Sequence, residues 1–282
     1  MRTLLMPSGT MIPVLGQGTW GMGEDLGRKQ QEADALKLGM ELGMALIDTA
    51  EMYGEGGAEQ VVGAALAGRR EQAFIVSKVY PHHADRRGVQ AACERSLDRL
   101  GTGHIDLYLL HWRGAVPLAE TLAAFESLQQ AGKIGAFGVS NFDLADMREA
   151  AGLPGGAAIA ANQVLYNLAR RGVEWDLLPW CRAHGIALMA YSPLGSSGAE
   201  QAAMLATPGL REVASRHGAS AAQIALAWLL RQDGVVVIPK AVTPAHVRDN
   251  RAALDIALTA QDLAQLDLAF PPPRRATPLE MR

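Results

Sequence analysis

A chain of 282 residues, 49% of them hydrophobic, is long enough to bury one large core or two smaller ones. Its 26 basic and 29 acidic residues leave a formal charge of −3 with no long basic run, which argues against nucleic acid or an anionic membrane as principal partner and points to a small molecule. The two cysteines, Cys93 and Cys181, lie far apart in helix-like segments with neither a C-x-x-C nor a zinc spacing, so both read as reduced structural residues.

The opening "MRTLLMPSG" is interrupted by Pro7, Ser8 and Gly9 before an apolar signal-peptide core forms, and no later segment approaches a membrane span. The expectation is a soluble cytoplasmic protein. "TLLM" and "MIPVL" flank Ser8-Gly9 and predict a β-hairpin. Apolar runs of strand length follow in order: "VLGQGTW", "ALIDTA", "AFIVSKV", "HIDLYLLHW", "IGAFGVSN", "AIAANQV", "IALMAYSP" and "GVVVIPK". Their apolar content is nearly continuous rather than alternating, as in parallel strands buried on both faces. Amphipathic stretches such as "QQEADALKLGMELG", "GVQAACERSLDRLG" and "LAETLAAFESLQQAGK" separate them, several closed by a glycine suited to a helix C-cap.

Eight strand-then-helix units over roughly 250 residues predict an α/β fold of the (β/α)8 TIM-barrel type, with the hairpin capping its bottom. A doubly wound sheet is the alternative, but no linker or change of composition divides the chain, so residues 1–282 are expected to form a single barrel domain. Extra helices are expected near the C-terminus: one around "GLREVASRHG" before a helix starting at Ser220, and one after the last barrel helix, with Thr243 and Thr259 as N-caps and an end near Phe270. The tail "PPPRRATPLEMR" has no helical period and is expected to run extended over the surface.

Active sites of such barrels gather at the C-terminal ends of the strands. The second run stops at Asp48, the third at Lys78 and the fourth at His111, with Tyr53 in the loop after the second. Any one of these has an ordinary structural explanation: a turn former, a surface lysine, a satisfied histidine. Together at successive strand ends they make chemical sense. A free phenol titrates near pH 10, an adjacent ammonium lowers that value, and a buried ammonium needs a carboxylate. Asp48 would hold Lys78 charged, Lys78 would tune Tyr53, and His111 would donate a hydrogen bond to a carbonyl oxygen, giving a proton donor for an oxygen that becomes an alkoxide.

"GQGTWG", residues 16 to 21, fits G-x-G-x-x-G but leads into "MGEDLG" rather than a helix, whose pattern begins only near Lys29. It reads as a tight βα loop with Trp20 as a pocket wall. Tyr80 and Trp112 also lie in rim loops and are expected to line an apolar pocket, left open by the short loop after strand four. His82 and His83 are adjacent but lack acidic or cysteine partners, so no metal site is expected. Glu51, in a loop, is expected to be exposed.

"LIDTAEMYG", "SKV", "LYLLHW", "GVSNF", "NQVLYN", "YSPLG" and "IPKAVTPAHVRDN" occur in this order, and through them the chain resembles the aldo-keto reductases from its first strand to its last helix. Among these it is most similar to bacterial members that reduce methylglyoxal and related aldehydes. The resemblance implies NADPH-dependent reduction of small aldehydes or ketones, NADH use not being excluded, with Tyr53 as general acid and Asp48, Lys78 and His111 completing the tetrad. It implies that Ser140, Asn141 and Gln163 hold the nicotinamide carboxamide, and that Tyr191 stacks on the ring. Ser192, Leu194 and Ser196 would run along the pyrophosphate, Lys240 and Thr243 would meet the adenosine phosphate, and Asn250 the adenine. His246 stands where many NADPH-using relatives have arginine, and an imidazole does not reproduce a guanidinium's forked donors. The expected partner is a small carbonyl substrate, with neither nucleic acid nor membrane, and the chain is expected to be a monomer. The competing reading is a nicotinamide-binding regulatory or interaction subunit with little turnover.

Overall fold

A computed structural model describes residues 2–282. Its first element is the expected hairpin: β1 (Thr3–Leu5) pairs antiparallel with β2 (Met11–Pro13), Thr3 opposite Pro13. Its Ile12, with Met6 from the turn, packs into one cluster with Leu46, Phe74, Leu107 and Val236 of the strands that follow. The hairpin is thus a plug for the barrel floor.

Strands and helices then alternate: β3 (Gly16–Gly18), α1 (Lys29–Glu41), β4 (Leu46–Asp48), α2 (Gly57–Leu66), β5 (Phe74–Val79), α3 (Arg86–Leu100), β6 (Ile105–Leu110) and α4 (Leu118–Gln130). The second half continues with β7 (Ile134–Ser140), α5 (Leu144–Ala151), β8 (Ile159–Leu165), α6 (Leu177–Ala183) and β9 (Ala187–Tyr191). Three helices follow β9, namely α7 (Gly198–Leu205), α8 (Pro208–Arg216) and α9 (Ala221–Leu230), and two follow β10 (Val235–Val237), namely α10 (Pro244–Ala252) and α11 (Ala260–Ala269).

The strands β3 to β10 form one eight-stranded sheet in chain order. All are parallel, and the sheet closes: Leu15 bridges Val237, Val237 N donates to Val14 O at 2.8 Å, and Gly18 N donates to Pro239 O at 3.1 Å. This is a barrel, not the open doubly wound alternative. Along β4 and β5, Leu46, Phe74 and Val76 join the inner cluster while Ile47 and Ile75 join the outer one against the helices. Both faces are dry, which is why the strands read as unbroken apolar runs.

The cap residues act where the sequence places them. Thr243 accepts from His246 N, Ser220 and Thr259 form capping boxes with Gln223 and Asp262, and Asp85 starts α3 by accepting from Arg87 N and Gly88 N. One helix was not expected. α7 follows "YSPLGSS", and Ser197 is its N-cap. Cys93 and Cys181 are buried free thiols, both pushed up to about 12, by burial first. No helix among the described residues is long and apolar enough to cross a membrane.

The tail has no regular structure and is mostly exposed, as expected, but its end reaches the top of the barrel, where Met281 and Arg282 line a cavity.

Closure depends on a close approach at Gly18, where an added Cβ would lie 2.8 Å from the carbonyl oxygen of Ile238. Gly18→Ala should cost about 1–3 kcal/mol through this overpacking. Gly103→Ala, where a Cβ meets nothing within 4 Å, should stay within about 0.5 kcal/mol of the parent. Urea unfolding followed by tryptophan fluorescence compares the two, and equal midpoints would contradict the role given to the seam.

Candidate active site

Parallel pairing puts the ends of β4, β5 and β6 side by side. Asp48 pairs with Val76, Lys78 with Leu109, and His111 follows β6 by one residue. Tyr53 opens a short turn after β4 in which Gly54, Glu55 and Gly56 all take positive φ, 57°, 52° and 89°. Two of these three are glycines, the residue that adopts this conformation without steric cost, and they carry the chain straight from the phenol into α2.

Lys78 is fully buried. Its Nζ donates to Asp48 Oδ1 at 2.9 Å and Oδ2 at 2.8 Å, to Thr49 O at 2.8 Å and to Tyr53 OH at 3.1 Å. Asp48 is held in turn by Gln163 Nε2 at 2.7 Å, and its backbone carbonyl accepts from Thr19 Oγ1 at 2.9 Å. The Tyr53 oxygen therefore accepts a hydrogen bond from the ammonium, and no acceptor among the described residues takes its own proton.

The electrostatics differ from the simplest expectation. Burial raises the Tyr53 pKa above the ordinary phenol value, Lys78 is the largest influence opposing it, and Asp48 raises it again. The net direction is upward, so Tyr53 is protonated at neutral pH. Burial works against the Lys78 ammonium, but Asp48 and Tyr53 outweigh it and the group stays charged. His111 is pulled down to about 2 by burial and by the Lys78 charge, so its imidazole is neutral, with a buried Nδ1 that has no partner among the described residues. Its ring stands 5.7 Å from that of Tyr53.

Above these residues lies a cavity of about 490 Å3. Trp20, Trp112 and Met52 form apolar walls, and Trp20 meets Tyr53 edge-on at 4.9 Å. Ser140, Asn141, Gln163, Tyr191, Ser192, Leu194 and Lys240 line it as well. Ser140 Oγ donates to Gln163 O at 2.9 Å, Asn141 Nδ2 donates to His111 O at 3.2 Å, and Tyr191 OH donates to Asn141 Oδ1 at 2.9 Å. The Gln163 amide oxygen has no partner among the described residues. Asn141 and Ser192 adopt left-handed φ of 59° and 47°, which bends the chain sharply at the ends of β7 and β9.

Four of the expected cofactor residues lie beyond the cavity lining. Ser196 bonds to Glu200 through its N at 3.1 Å and through its hydroxyl, Thr243 caps α10, and His246 and Asn250 follow on α10 four residues apart, hence on one face. Lys240 has no carboxylate partner among the described residues; partial loss of solvent pulls its pKa down, partly offset by nearby Glu32.

Three expectations are corrected. Tyr80 does not line the cavity but stands edge-on behind Trp112 at 5.9 Å. Glu51 is buried, not exposed, because three groups meet it there: Tyr80 N at 2.9 Å, His83 Nδ1 at 3.0 Å and Arg95 at 3.5 Å. The site is also less open than the short loop after β6 implied, because Met281 and Arg282 wall it, with the Arg282 guanidinium 5.2 Å from the Trp20 ring. No group of three metal-ligating side chains occurs among the described residues. Sequence reasoning missed the tail residues and Asn167, a buried side chain whose Nδ2 donates to Ser192 O at 3.0 Å and fixes the loop after β9. Only its place in the "NQVLYN" motif marked it.

Residues 14–269 match the model of the Aldo/keto reductase family. The chain is 52% identical over 270 residues to "Methylglyoxal reductase YeaE" of Escherichia coli (strain K12), covering 96% of this chain and 95% of that protein. It is 33% identical to "Glyoxal reductase" of Bacillus subtilis (strain 168), covering 94% and 91%. An aldo/keto reductase from Klebsiella pneumoniae, solved in complex with NADP and acetate, superposes with a TM-score of 0.97 at 47% identity over 100% of this chain and 99% of that one.

The neutral state of His111 is open to direct measurement. Its ring resonances should not titrate between about pH 5 and 8 by NMR, the range in which an unperturbed imidazole changes charge. Lys78→Met removes a cation that disfavours imidazolium, so the His111 midpoint should rise. A parental midpoint inside that range, or no rise in the variant, would contradict the assigned electrostatics.

Proposed function

The chain belongs to the aldo/keto reductase family, and on that premise we propose that it reduces small aldehydes and ketones with NADPH, methylglyoxal and related 2-oxoaldehydes foremost, with Tyr53 as proton donor. The observation that carries this reading is the Tyr53 hydroxyl, which accepts from Lys78 at 3.1 Å while its own proton faces no acceptor among the described residues. The names of the E. coli and B. subtilis relatives support the substrate class, and the NADP bound by the Klebsiella protein supports the cofactor.

The residues present suit a dinucleotide phosphate. One cavity is lined by both Tyr53 and Lys240, and among the described residues the Gln163 amide oxygen has no partner and the Lys240 ammonium no carboxylate. Ser140, Asn141 and Gln163 would hold the carboxamide, Tyr191 would underlie the ring, and Ser192, Leu194 and Ser196 would follow the pyrophosphate. Lys240, Thr243 and His246 would receive the adenosine phosphate, and Asn250 the adenine. When bound, NADPH supplies the hydride.

The chain's own residues do the rest. A carbonyl oxygen placed between Tyr53 and His111 receives a hydrogen bond from the neutral imidazole. As negative charge develops on that oxygen, Tyr53 transfers its proton to it, and the Lys78 ammonium stabilises the phenolate left behind. Asp48 keeps the ammonium charged and fixed. Trp20, Trp112 and Met52 give a small apolar enclosure with few polar groups, suited to short carbonyl compounds.

Tyr53→Phe deletes the transferable proton and little else. With methylglyoxal and NADPH it should lose roughly 10²–10⁴-fold in kcat, while NADPH binding, followed by quenching of tryptophan fluorescence, stays within about twofold. Retained turnover would sink the proton-donor role. His246→Arg adds forked donors at the adenosine phosphate and should tighten NADPH by roughly threefold to fivefold, leaving NADH nearly unchanged. Parallel changes for the two cofactors would place the 2′-phosphate elsewhere.

A further inference from the structure

Two walls of the cavity mouth, distant in sequence, meet on one side chain. Arg170, between β8 and α6, donates through Nη2 to Glu200 Oε1 at 2.5 Å and through Nη1 to Glu280 Oε1 at 2.5 Å. Glu200 lies in the first turn of α7, and its other oxygen accepts from Ser196 N at 3.1 Å and from the Ser196 hydroxyl. It thereby holds the loop after β9. Glu280 belongs to the tail and directly precedes Met281 and Arg282, which line the cavity. The tail meets the same region again at its end, where Arg282 N donates to Tyr191 OH at 3.2 Å.

Arg170 is itself fixed. Its N donates to Asn167 O at 3.0 Å in a tight turn, and Asn167 Nδ2 donates to Ser192 O at 3.0 Å. Its root is therefore tied to the start of the loop whose far side its guanidinium clasps through Glu200. Ser196 and Arg170 hold the Glu200 carboxyl at about 2, so the link is ionised throughout the neutral range.

We propose that Arg170 is a positioning residue that joins the loop after β9 and the C-terminal tail into one unit, so that affinity for the dinucleotide and for the carbonyl compound change together. The proposal rests on the reading that Ser192, Leu194 and Ser196 run along the cofactor. A planar guanidinium suits the task because it presents separate N–H groups to two carboxylates at fixed directions, which a lysine ammonium on a flexible stem does not. Partly exposed pairs of this kind are individually weak. Here both carboxylates are attached to walls of the same cavity, so loosening either is read out at the ligand.

The test separates coupled from independent walls. NADPH dissociation constants and methylglyoxal KM and kcat are measured for Glu200→Gln, Glu280→Gln, Arg170→Ala, Arg170→Ala combined with Glu280→Gln, and Arg170→Lys, with thermal unfolding as a check on the fold. Glu200→Gln touches only the cofactor loop directly, yet should raise the carbonyl KM as well as the NADPH dissociation constant, each by roughly threefold. Glu280→Gln touches only the tail, yet should raise both as well. Arg170→Ala should raise both by roughly fivefold, with KM changed more than kcat, and adding Glu280→Gln to it should change nothing further. Arg170→Lys should recover only part of the loss. If Glu200→Gln moves only the NADPH constant and Glu280→Gln only KM, the coupling is wrong. Leu194→Gly tests the reading beneath it: unchanged NADPH affinity there removes the loop from the cofactor site, whereas weakened affinity with uncoupled glutamates overturns the proposal alone.

Discussion

The buried ammonium of Lys78 constrains everything around it. A charge wholly out of water is tolerated only with a carboxylate and a full set of acceptors, and Asp48, Thr49 O and Tyr53 OH supply them at 2.8–3.1 Å. Those acceptors come from β4 and the turn after it, next to the strand that carries Lys78. The pairing of β4 with β5 and the tight turn at Gly54–Gly56 therefore serve the same electrostatic need. Once it is met, the phenol lies where a cation can stabilise its conjugate base, while burial keeps it protonated at neutral pH.

The same charge sets the state of its neighbours. His111 is held neutral by burial and by Lys78, so it is a hydrogen-bonding group rather than a second acid. Gln163 donates to Asp48 while its amide oxygen has no partner among the described residues, which links the Lys78 cluster to the residues of β8 that line the cavity. Tyr53, Lys78, Asp48 and Gln163 are thus joined in one chain of hydrogen bonds, not merely adjacent.

Much of the site was legible because it sits at strand ends. Asp48, Lys78 and His111 each follow an apolar run, and a barrel brings consecutive run-ends to one rim. The readings that failed concern side chains whose surroundings are set by distant segments. Glu51 looked exposed from its loop, yet His83 and Arg95 come to it from the next βα unit. Tyr80 lies on the rim but one layer behind Trp112. The tail, with no periodicity, gave no hint that Glu280 meets Arg170 across 110 positions.

By itself the sequence determined the eight strands, most of the helices with their caps, and the order in which functional side chains reach the rim. These follow from local periodicity, capping chemistry and nearest-neighbour pairing of consecutive strands. Tertiary structure alone decided the direction of the Tyr53 shift, the burial of Glu51 and the meeting of the tail with Arg170 and the cavity. Each of these is a balance of desolvation against charges brought together from separate parts of the chain, and such a balance exists only once the barrel has closed.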